Sequence, residues 1–200
     1  MSFKRAILGT TVLSGVLLGG LALPALAQDL HINGDTHTVA GTEDYVFIDI
    51  GITDPDGHLI VPDGTTLNSD YVNFGKVYDA SGNTATVSGD WYNSDYMFLG
   101  DYSPGNTLTV ESGGYVEVDG VVWIGSHEGA SGNALIVDGG TFDANSDLIV
   151  GLDGSGNSMT IQSGGDVAGV KAVIGNNSFD NFVLVTGSGS TWDLSDQLYV

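Results

Sequence analysis

The chain has 200 residues and a formal net charge of −21, with 25 acidic residues against four lysines and arginines. A surface this acidic repels phosphate backbones and anionic lipid headgroups, which argues against nucleic-acid binding and membrane-surface binding. The chain contains no cysteine, so neither disulfides nor thiol chemistry contributes to its fold or its function.

Residues 1–27 have the composition of a secretory signal peptide. Lys4 and Arg5 precede an apolar run that ends at Ala25-Leu26-Ala27, a small-residue cleavage site before Gln28. A membrane anchor is the alternative, but the run contains four glycines and has no positive flank on its far side. Beyond it no apolar run approaches the ~20 residues that span a bilayer. We therefore expect an exported chain.

Cleavage at this site is directly testable. Exported protein should begin at Gln28, because the small residues at Ala25 and Ala27 fit the position that precedes a signal-peptide cleavage. N-terminal sequencing or the intact mass of the exported protein measures this. A secreted sample that retains residues 1–27 would contradict the signal-peptide interpretation.

Residues 28–55 are predicted to form an N-terminal cap and the first coil of a repeat array. Their sequence is less regular than the rest, and solenoids end in atypical repeats that cover the open edge. The segment ends in the turn composition of Asp54-Pro55-Asp56-Gly57. Its candidate core positions are Leu30, Ile32, Val39, Ile48 and Ile50.

Residues 56–200 repeat one phrase, written most completely at residues 105–126 as GNTLTVESGGYVEVDGVVWIGS. The phrase returns at 132, at 156 and, with one insertion, at 180. A fixed period of this length is typical of solenoid proteins. A glycine follows an apolar residue near the end of each copy, every 24 to 26 residues, and these landmark glycines are Gly51, Gly75, Gly100, Gly125, Gly151 and Gly175. A further landmark is expected beyond residue 200, which indicates an array truncated in mid-repeat.

Each copy divides into three short strands joined by turns. Residues 108–110, 115–118 and 121–124 alternate apolar with polar side chains and are rich in β-branched and aromatic residues. Glycine, asparagine, serine and aspartate fill the segments between them, and no window has the apolar stripe of a helix. The sequence therefore predicts an all-β fold.

A hairpin meander and a parallel β-helix both fit three strands per repeat. Only the β-helix requires like residues at like positions, because each strand then pairs with its equivalent one coil further on. The sequence has this like-on-like register and predicts a right-handed parallel β-helix of about seven three-stranded coils. Three inward ladders are expected: Leu59, Ala85, Leu108, Leu135, Met159, Val183; Val61, Val87, Val110, Val137, Ile161, Val185; and Phe74, Leu99, Ile124, Val150, Ile174, Val200.

Catalytic chemistry has weak support in the sequence. Glycoside hydrolysis needs two carboxylates held ~5 to 10 Å apart, and candidate pairs such as Asp90 with Asp95, or Asp143 with Asp147, lie in variable outward segments. No serine has glycine at both −2 and +2, so there is no nucleophile elbow. Lyases of acidic polysaccharides need cationic groups, and few remain. We therefore expect no enzyme, with no catalytic residue and no cofactor.

Metal sites are equally weakly indicated. None of His31, His37, His58 and His127 has a partner at zinc-site spacing, and His127-Glu128 is typical of a solvated loop. Residues 138–147 and 153–157 mix glycine, aspartate and asparagine as calcium loops do. The nonapeptide of calcium β-rolls does not occur, and aspartate and asparagine also favour turns. The sequence predicts no metal site.

The phrase LTVESGGYVEVDGVVWIGSHEGASGNALIVDGG at residues 108–140 resembles the repeat of bacterial type V secretion and PEP-CTERM proteins. The Gly-Asn and Gly-Gly words carry the resemblance, which covers residues 82–200 well and 29–81 weakly. The copies at 82 and 180 depart from the pattern, with Gly89-Asp90 and Asp180-Asn181 in place of those words. The resemblance implies the N-terminal passenger segment of a Gram-negative autotransporter, displayed at the cell surface, with a translocator barrel further along. It does not separate this family from PEP-CTERM proteins.

Two functions follow from the resemblance and the composition. The first is a structural or adhesive stalk that presents a face to a glycan or protein ligand on a host surface, in a matrix or on another cell. The second is a secreted β-helix enzyme that acts on polysaccharide, with its active site on a coil face or in a further domain. Uniform ladders of threonine, serine, asparagine and aspartate favour the stalk. Open strands at the last coil also predict edge-to-edge self-association.

Overall fold

The computed structural model describes residues 28–200, and the predicted signal peptide lies outside them. Within this range no helix is long and apolar enough to cross a membrane. Short runs of alternating, β-branched residues form strands throughout. The strands in chain order are β1 (Gln28–Ile32), β2 (Thr36–Thr38), β3 (Thr42–Ile50), β4 (His58–Val61), β5 (Thr66–Phe74), β6 (Thr84–Val87), β7 (Asp90–Asn93), β8 (Met97–Leu99), β9 (Thr107–Glu111), β10 (Tyr115–Val118), β11 (Val122–Ile124), β12 (Ala134–Asp138), β13 (Thr141–Ala144), β14 (Leu148–Val150), β15 (Ser158–Gln162), β16 (Asp166–Gly169), β17 (Ala172–Ile174), β18 (Phe182–Val185), β19 (Thr191–Leu194) and β20 (Leu198–Tyr199).

The strands stack as coils of a parallel β-helix. Each strand pairs in parallel with its equivalent in the next coil, so the predicted all-β solenoid of about seven coils is confirmed. Neighbouring strands of a sheet lie ~4.8 Å apart, which makes the rod roughly 33 Å long. The first strands of the coils form one sheet, in the order β2-β4-β6-β9-β12-β15-β18. The second and third strands form the other sheet, in the order β19-β16-β13-β10-β7-β5-β8-β11-β14-β17-β20, with β3 on β5 and β1 on β3.

The three predicted inward ladders form the core. From Leu59 to Ile161 every ladder residue is at most 1% exposed, and its Cα pairs with the predicted partner one coil away. The last members differ: Val185 is 43% exposed and Val200 is 94% exposed. Burial was predicted there too, but no strand within residues 28–200 stacks on that end of the rod.

The N-terminal strands depart from the simple three-strand coil. Leu30 and Ile32 of β1 pair with Ile48 and Ile50 in the third-strand column, so the first complete coil begins at β2 rather than at β1. Strands β3 and β5 each run for nine residues through the second and third positions without a turn. Leu30, Ile32, Ile48 and Ile50 all pack in the core or against it, as the sequence predicts.

An asparagine ladder runs through the interior beside the first strands. It consists of the equivalent residues Asn83, Asn106, Asn133, Asn157 and Asn181. The Oδ1 of Asn133 accepts hydrogen bonds from the backbone N–H of Asn106 at 2.9 Å and from its side-chain amide at 2.8 Å. The same two bonds link Asn83 to Asn106 and Asn133 to Asn157. Each side chain thus satisfies buried donors of the preceding coil, where water cannot reach.

The asparagine ladder explains why the landmark glycines recur. Gly125 has a φ of +80°, a left-handed conformation that residues with a Cβ rarely adopt. A Cβ at Gly125 would also lie 2.1 Å from the amide nitrogen of Asn157. At Gly51, Gly100, Gly125 and Gly151 the turn after a third strand requires glycine because a ladder asparagine occupies the space, whereas at Gly75 the side chain of Ser103 does so.

Candidate functional surface

The outward side chains of the coils form three faces of different chemistry. The outward side chains of the first strands within residues 28–200 form the neutral face, in which Glu111 and Asp138, at the ends of β9 and β12, are the only aspartate or glutamate residues. Its members pair one coil to the next as Thr36, Thr38, His58, Ile60, Thr84, Thr86, Thr107, Thr109, Ala134, Ile136, Ser158, Thr160, Phe182 and Leu184. Seven of these fourteen side chains are threonine, and histidine, serine, alanine, isoleucine, leucine and phenylalanine occupy the other places, so the ladders are less uniform than the sequence predicts.

The outward side chains of the second strands form the acidic face. They include a carboxylate in most coils, and the column runs through Asp44, Asn68, Asp90, Tyr92, Tyr115, Glu117, Thr141, Asp143, Asp166, Ala168, Thr191 and Asp193. A shallow groove of about 270 Å³ lies on this face. Asp44, Asp70, Glu117 and Asp119 line the groove together with Tyr92.

A shared phenol ties together two carboxylates of the acidic face. The hydroxyl of Tyr115 lies 2.8 Å from a carboxylate oxygen of Glu117 and 2.8 Å from one of Asp143 in the next coil. Partial burial, followed by these two hydrogen bonds, raises the pKa of Tyr115 above its ordinary value. The phenol therefore stays protonated, and its single proton is shared between the two carboxylates.

Aromatic side chains form a third face, on and beside the third strands. The aromatic face consists of Phe47, Tyr71, Tyr96, Phe98 and Trp123, continued by Ile149, Val173 and Tyr199. Two pairs of its rings are stacked, Phe47 on Tyr71 at 5.0 Å and Phe98 on Trp123 at 4.6 Å. Tyr96 joins the pairs, with its ring centroid 6.2 Å from that of Tyr71 and 5.5 Å from that of Trp123. The five rings thus form one continuous strip across neighbouring coils.

Part of the aromatic face remains open to solvent. Phe47 is 36% exposed, Tyr96 is 40% exposed and Tyr199 is 49% exposed. Contiguous exposed apolar surface of this kind marks interaction sites in soluble proteins more often than scattered single residues do. This face was not anticipated from the sequence, in which the outward positions were expected to be uniformly polar.

A small aromatic and histidine cluster lies at the turns that follow the third strands. The imidazole of His127 stacks on the ring of Tyr102 with centroids 4.0 Å apart, and its Nδ1 lies 3.0 Å from the carboxylate of Asp101. Burial raises the pKa of Asp101, and the nearby His127 opposes that shift. His127 thus pairs with Asp101 of the preceding coil rather than with its neighbour Glu128.

The candidate carboxylate pairs are not brought together. Asp143 binds the Tyr115 hydroxyl on the acidic face, whereas Asp147 forms an ion pair with Lys171 beside the aromatic face. Asp90 begins a second strand on the acidic face. Asp95 lies at the corner after that strand, where its carboxylate raises the pKa of the Tyr71 phenol. Asp143 and Asp147 therefore have separate partners.

The four histidines lie at separate places on the rod. His31 approaches Asp49 at 3.4 Å, His37 binds Glu43 at 2.7 Å and His58 contacts Thr84 at 2.6 Å. Within residues 28–200 no group of three or more histidine, aspartate and glutamate side chains is arranged to hold a metal ion.

Calcium should therefore stabilise the chain only slightly and without preference over magnesium. The expected effect is screening of the repulsion among the 25 acidic residues, which any divalent cation provides. Melting curves in millimolar CaCl₂ and in matched MgCl₂ measure it. A large rise in melting temperature with calcium and none with magnesium would show that residues 138–147 or 153–157 form a specific site.

No protein-family model, no curated protein and no solved structure matches this chain. The repeat and the three faces are therefore the features of the molecule from which its function can be inferred.

Proposed function

We propose that this chain is an exported surface protein of a Gram-negative bacterium in which the β-helix is a non-catalytic structural or adhesive stalk, as in the passenger of an autotransporter. The observation that carries the proposal is the unbroken stacking of coils from β1 to β20, with a separate column of outward side chains on each face. Such a rod extends its faces away from an anchoring point, which is the geometry that a stalk requires.

The continuation of each face through successive coils supports the same proposal. A binding face on a solenoid gains contact area with every added coil, so a weak contact per coil becomes a strong one along the rod. The net charge of −21 keeps the exposed sheets soluble and separates neighbouring rods by repulsion.

Retention of coated beads tests the adhesive function. Beads that carry the exported chain should be retained on layers of bacterial or animal cells, whereas beads that carry the heat-unfolded chain should not. Equal retention of both would contradict the proposal, because the ordered faces would then contribute nothing.

A second candidate, a polysaccharide-cleaving enzyme, is favoured by one observation, the groove on the acidic face with Glu117 and Asp119 in its wall. Release of reducing ends from neutral polysaccharides, measured for the exported chain and for Glu117→Gln, separates the two functions. The stalk predicts no release from either protein. Release by the wild-type chain that the substitution abolishes would establish the enzyme instead.

A further inference from the structure

The aromatic face carries a chemical signature that the stalk function alone does not require. Ring stacking between coils stabilises the rod, and Phe47 on Tyr71 and Phe98 on Trp123 are stacked within 15° and 7° of parallel. Tyr96 is different: its ring is turned by 48° from Tyr71 and by 53° from Trp123, so neither neighbour stacks on it. It is 40% exposed. The strip thus has an open aromatic ring at its centre.

Carboxylates border this open ring on one side. Asp70, Asp95 and Asp119 occupy the corner between the acidic face and the aromatic face in three successive coils, and they are here named the acidic border. Their hydrogen bonds come from neutral donors, Ser94 to Asp70 at 2.6 Å and Asn145 to Asp119 at 2.9 Å. None of the three forms an ion pair with another part of residues 28–200.

Both lysines of the described chain bind other carboxylates on the same side of the rod. Lys76 lies beside the aromatic face and binds Asp49 at 3.2 Å, and Lys171 lies on the same side of the rod and binds Asp147. The ammonium groups of Lys76 and Lys171 are thus each paired with a carboxylate near the aromatic face. The acidic border also consists of carboxylates, but no cation within residues 28–200 pairs with them.

We propose that the aromatic face and its acidic border form a docking surface for an extended, arginine-bearing segment of a partner protein; this inference rests on the proposed adhesive function. A guanidinium is planar, stacks on aromatic rings and pairs with carboxylates in a fixed fork, which suits an open tyrosine ring beside a row of aspartates. Anionic partners are repelled by a chain of net charge −21.

The spacing of the coils fits an extended segment. Asp70 and Asp119 hold equivalent register positions two rungs apart, which separates them by ~10 Å along the rod, and Asp95 lies on the rung between them, one residue beyond the equivalent Ser94. In an extended peptide, side chains two residues apart lie on one side at a separation of ~7 Å. Two arginines at positions i and i+2 therefore reach Asp70, Asp95 and Asp119 together, with the residues around them over Tyr96.

Binding of a labelled nine-residue peptide that alternates arginine with serine tests the proposal on the exported chain. The peptide should bind, its affinity should fall as salt is raised from 0.05 to 0.5 M, and a peptide with glutamine in place of arginine should not bind. The substitutions Tyr96→Ser and Trp123→Thr together should lower the affinity about tenfold. The matched control Tyr92→Ser removes a ring of 39% exposure from the acidic face and should change it less than about twofold.

Charge variants separate a local site from general attraction to an acidic rod. Asp95→Asn with Asp119→Asn should lower the affinity about tenfold, whereas Asp143→Asn with Asp166→Asn, which alters the net charge equally, should lower it less than about threefold. Circular dichroism and the melting temperature verify that each variant folds. Tyr96→Ser alone leaves both stacked pairs intact and keeps the test valid if the double substitution unfolds the coil.

Three results would overturn the proposal. The first is unchanged affinity in the ring variants, and the second is equal loss in both pairs of charge variants. The third is salt-independent binding of a neutral glucose hexasaccharide in place of the peptide, which would make the face a glycan-binding surface.

Retention of beads coated with the Tyr96→Ser, Trp123→Thr chain distinguishes the two proposals. If this variant is retained as well as the wild type, the docking surface is contradicted and the stalk proposal stands. If the wild type itself is not retained, the adhesive function is contradicted.

Discussion

Replacing Val137 by aspartate is expected to unfold at least its own coil. Val137 is fully buried and lies between Val110 and Ile161 in the second inward ladder. An aspartate there would place an uncompensated charge in the core of the rod, which costs at least about 4 kcal/mol of stability. Urea unfolding gives the total loss, and amide hydrogen exchange shows whether the protection lost is centred on this coil.

The neighbouring residue provides a matched control. Asp138 is next in the chain, is only half-buried and occupies the alternate position of the same strand. Asp138→Asn should change the free energy of unfolding by less than about 0.5 kcal/mol. Equal tolerance of the two substitutions would show that the strand does not present Val137 to the core, since a slip of one residue reverses every side chain.

Replacing Asn133 by alanine should cost about 3 kcal/mol, although it removes only a small polar side chain. Without the Oδ1 of Asn133, the backbone N–H and the side-chain amide of Asn106 lose their shared acceptor in the dry interior. An unsatisfied buried donor costs about 1 to 3 kcal/mol. Denaturant unfolding measures the loss.

Replacing a surface asparagine by alanine is the matched control. It shows how much of the cost at Asn133 comes from the buried hydrogen bonds and how much from losing an asparagine anywhere in the chain. Asn145 is exposed, and its amide donates to Asp119 and Glu117. Water replaces those bonds, so Asn145→Ala should cost less than about 0.5 kcal/mol. A cost at Asn133 as small as the cost at Asn145 would indicate that water enters the coil and that the asparagine ladder does not stabilise it.

The core was predictable because it depends on local alternation and on a fixed period. Val110, Val137 and Ile161 hold equivalent places in successive copies of the phrase, and stacking brings equivalents together. Strand β1 was harder to place, since the alternating pattern of Leu30 and Ile32 is the same in any of the three strand positions. Only pairing with β3 assigns it to the third column.

The asparagine ladder and the aromatic face were missed for a different reason. Asparagine after glycine is also a turn signal, and its role in the interior depends on which backbone donors of the neighbouring coil face it. The rings of Tyr96 and Trp123 come from different columns of adjacent coils and meet at 5.5 Å only through the bend between strands. Recurrence of an asparagine at one fixed place in the five copies from residue 83 onward was the signal available for the ladder. The aromatic face gave no such recurrence.

Disulfide trapping tests the stacked register most directly, because the chain has no cysteine of its own. Thr109 and Ile136 are paired one coil apart on the neutral face, and Thr160 follows one coil further. Cysteines at 109 and 136 would have Cα atoms ~4.8 Å apart, within the range that a disulfide spans, whereas 109 and 160 would be ~10 Å apart. The account predicts rapid intramolecular crosslinking of the 109 and 136 pair under mild oxidation, and none of the 109 and 160 pair. A chain that crosslinks 109 to 160 as readily as 109 to 136, or that fails to crosslink 109 to 136, would contradict the stacked β-helix.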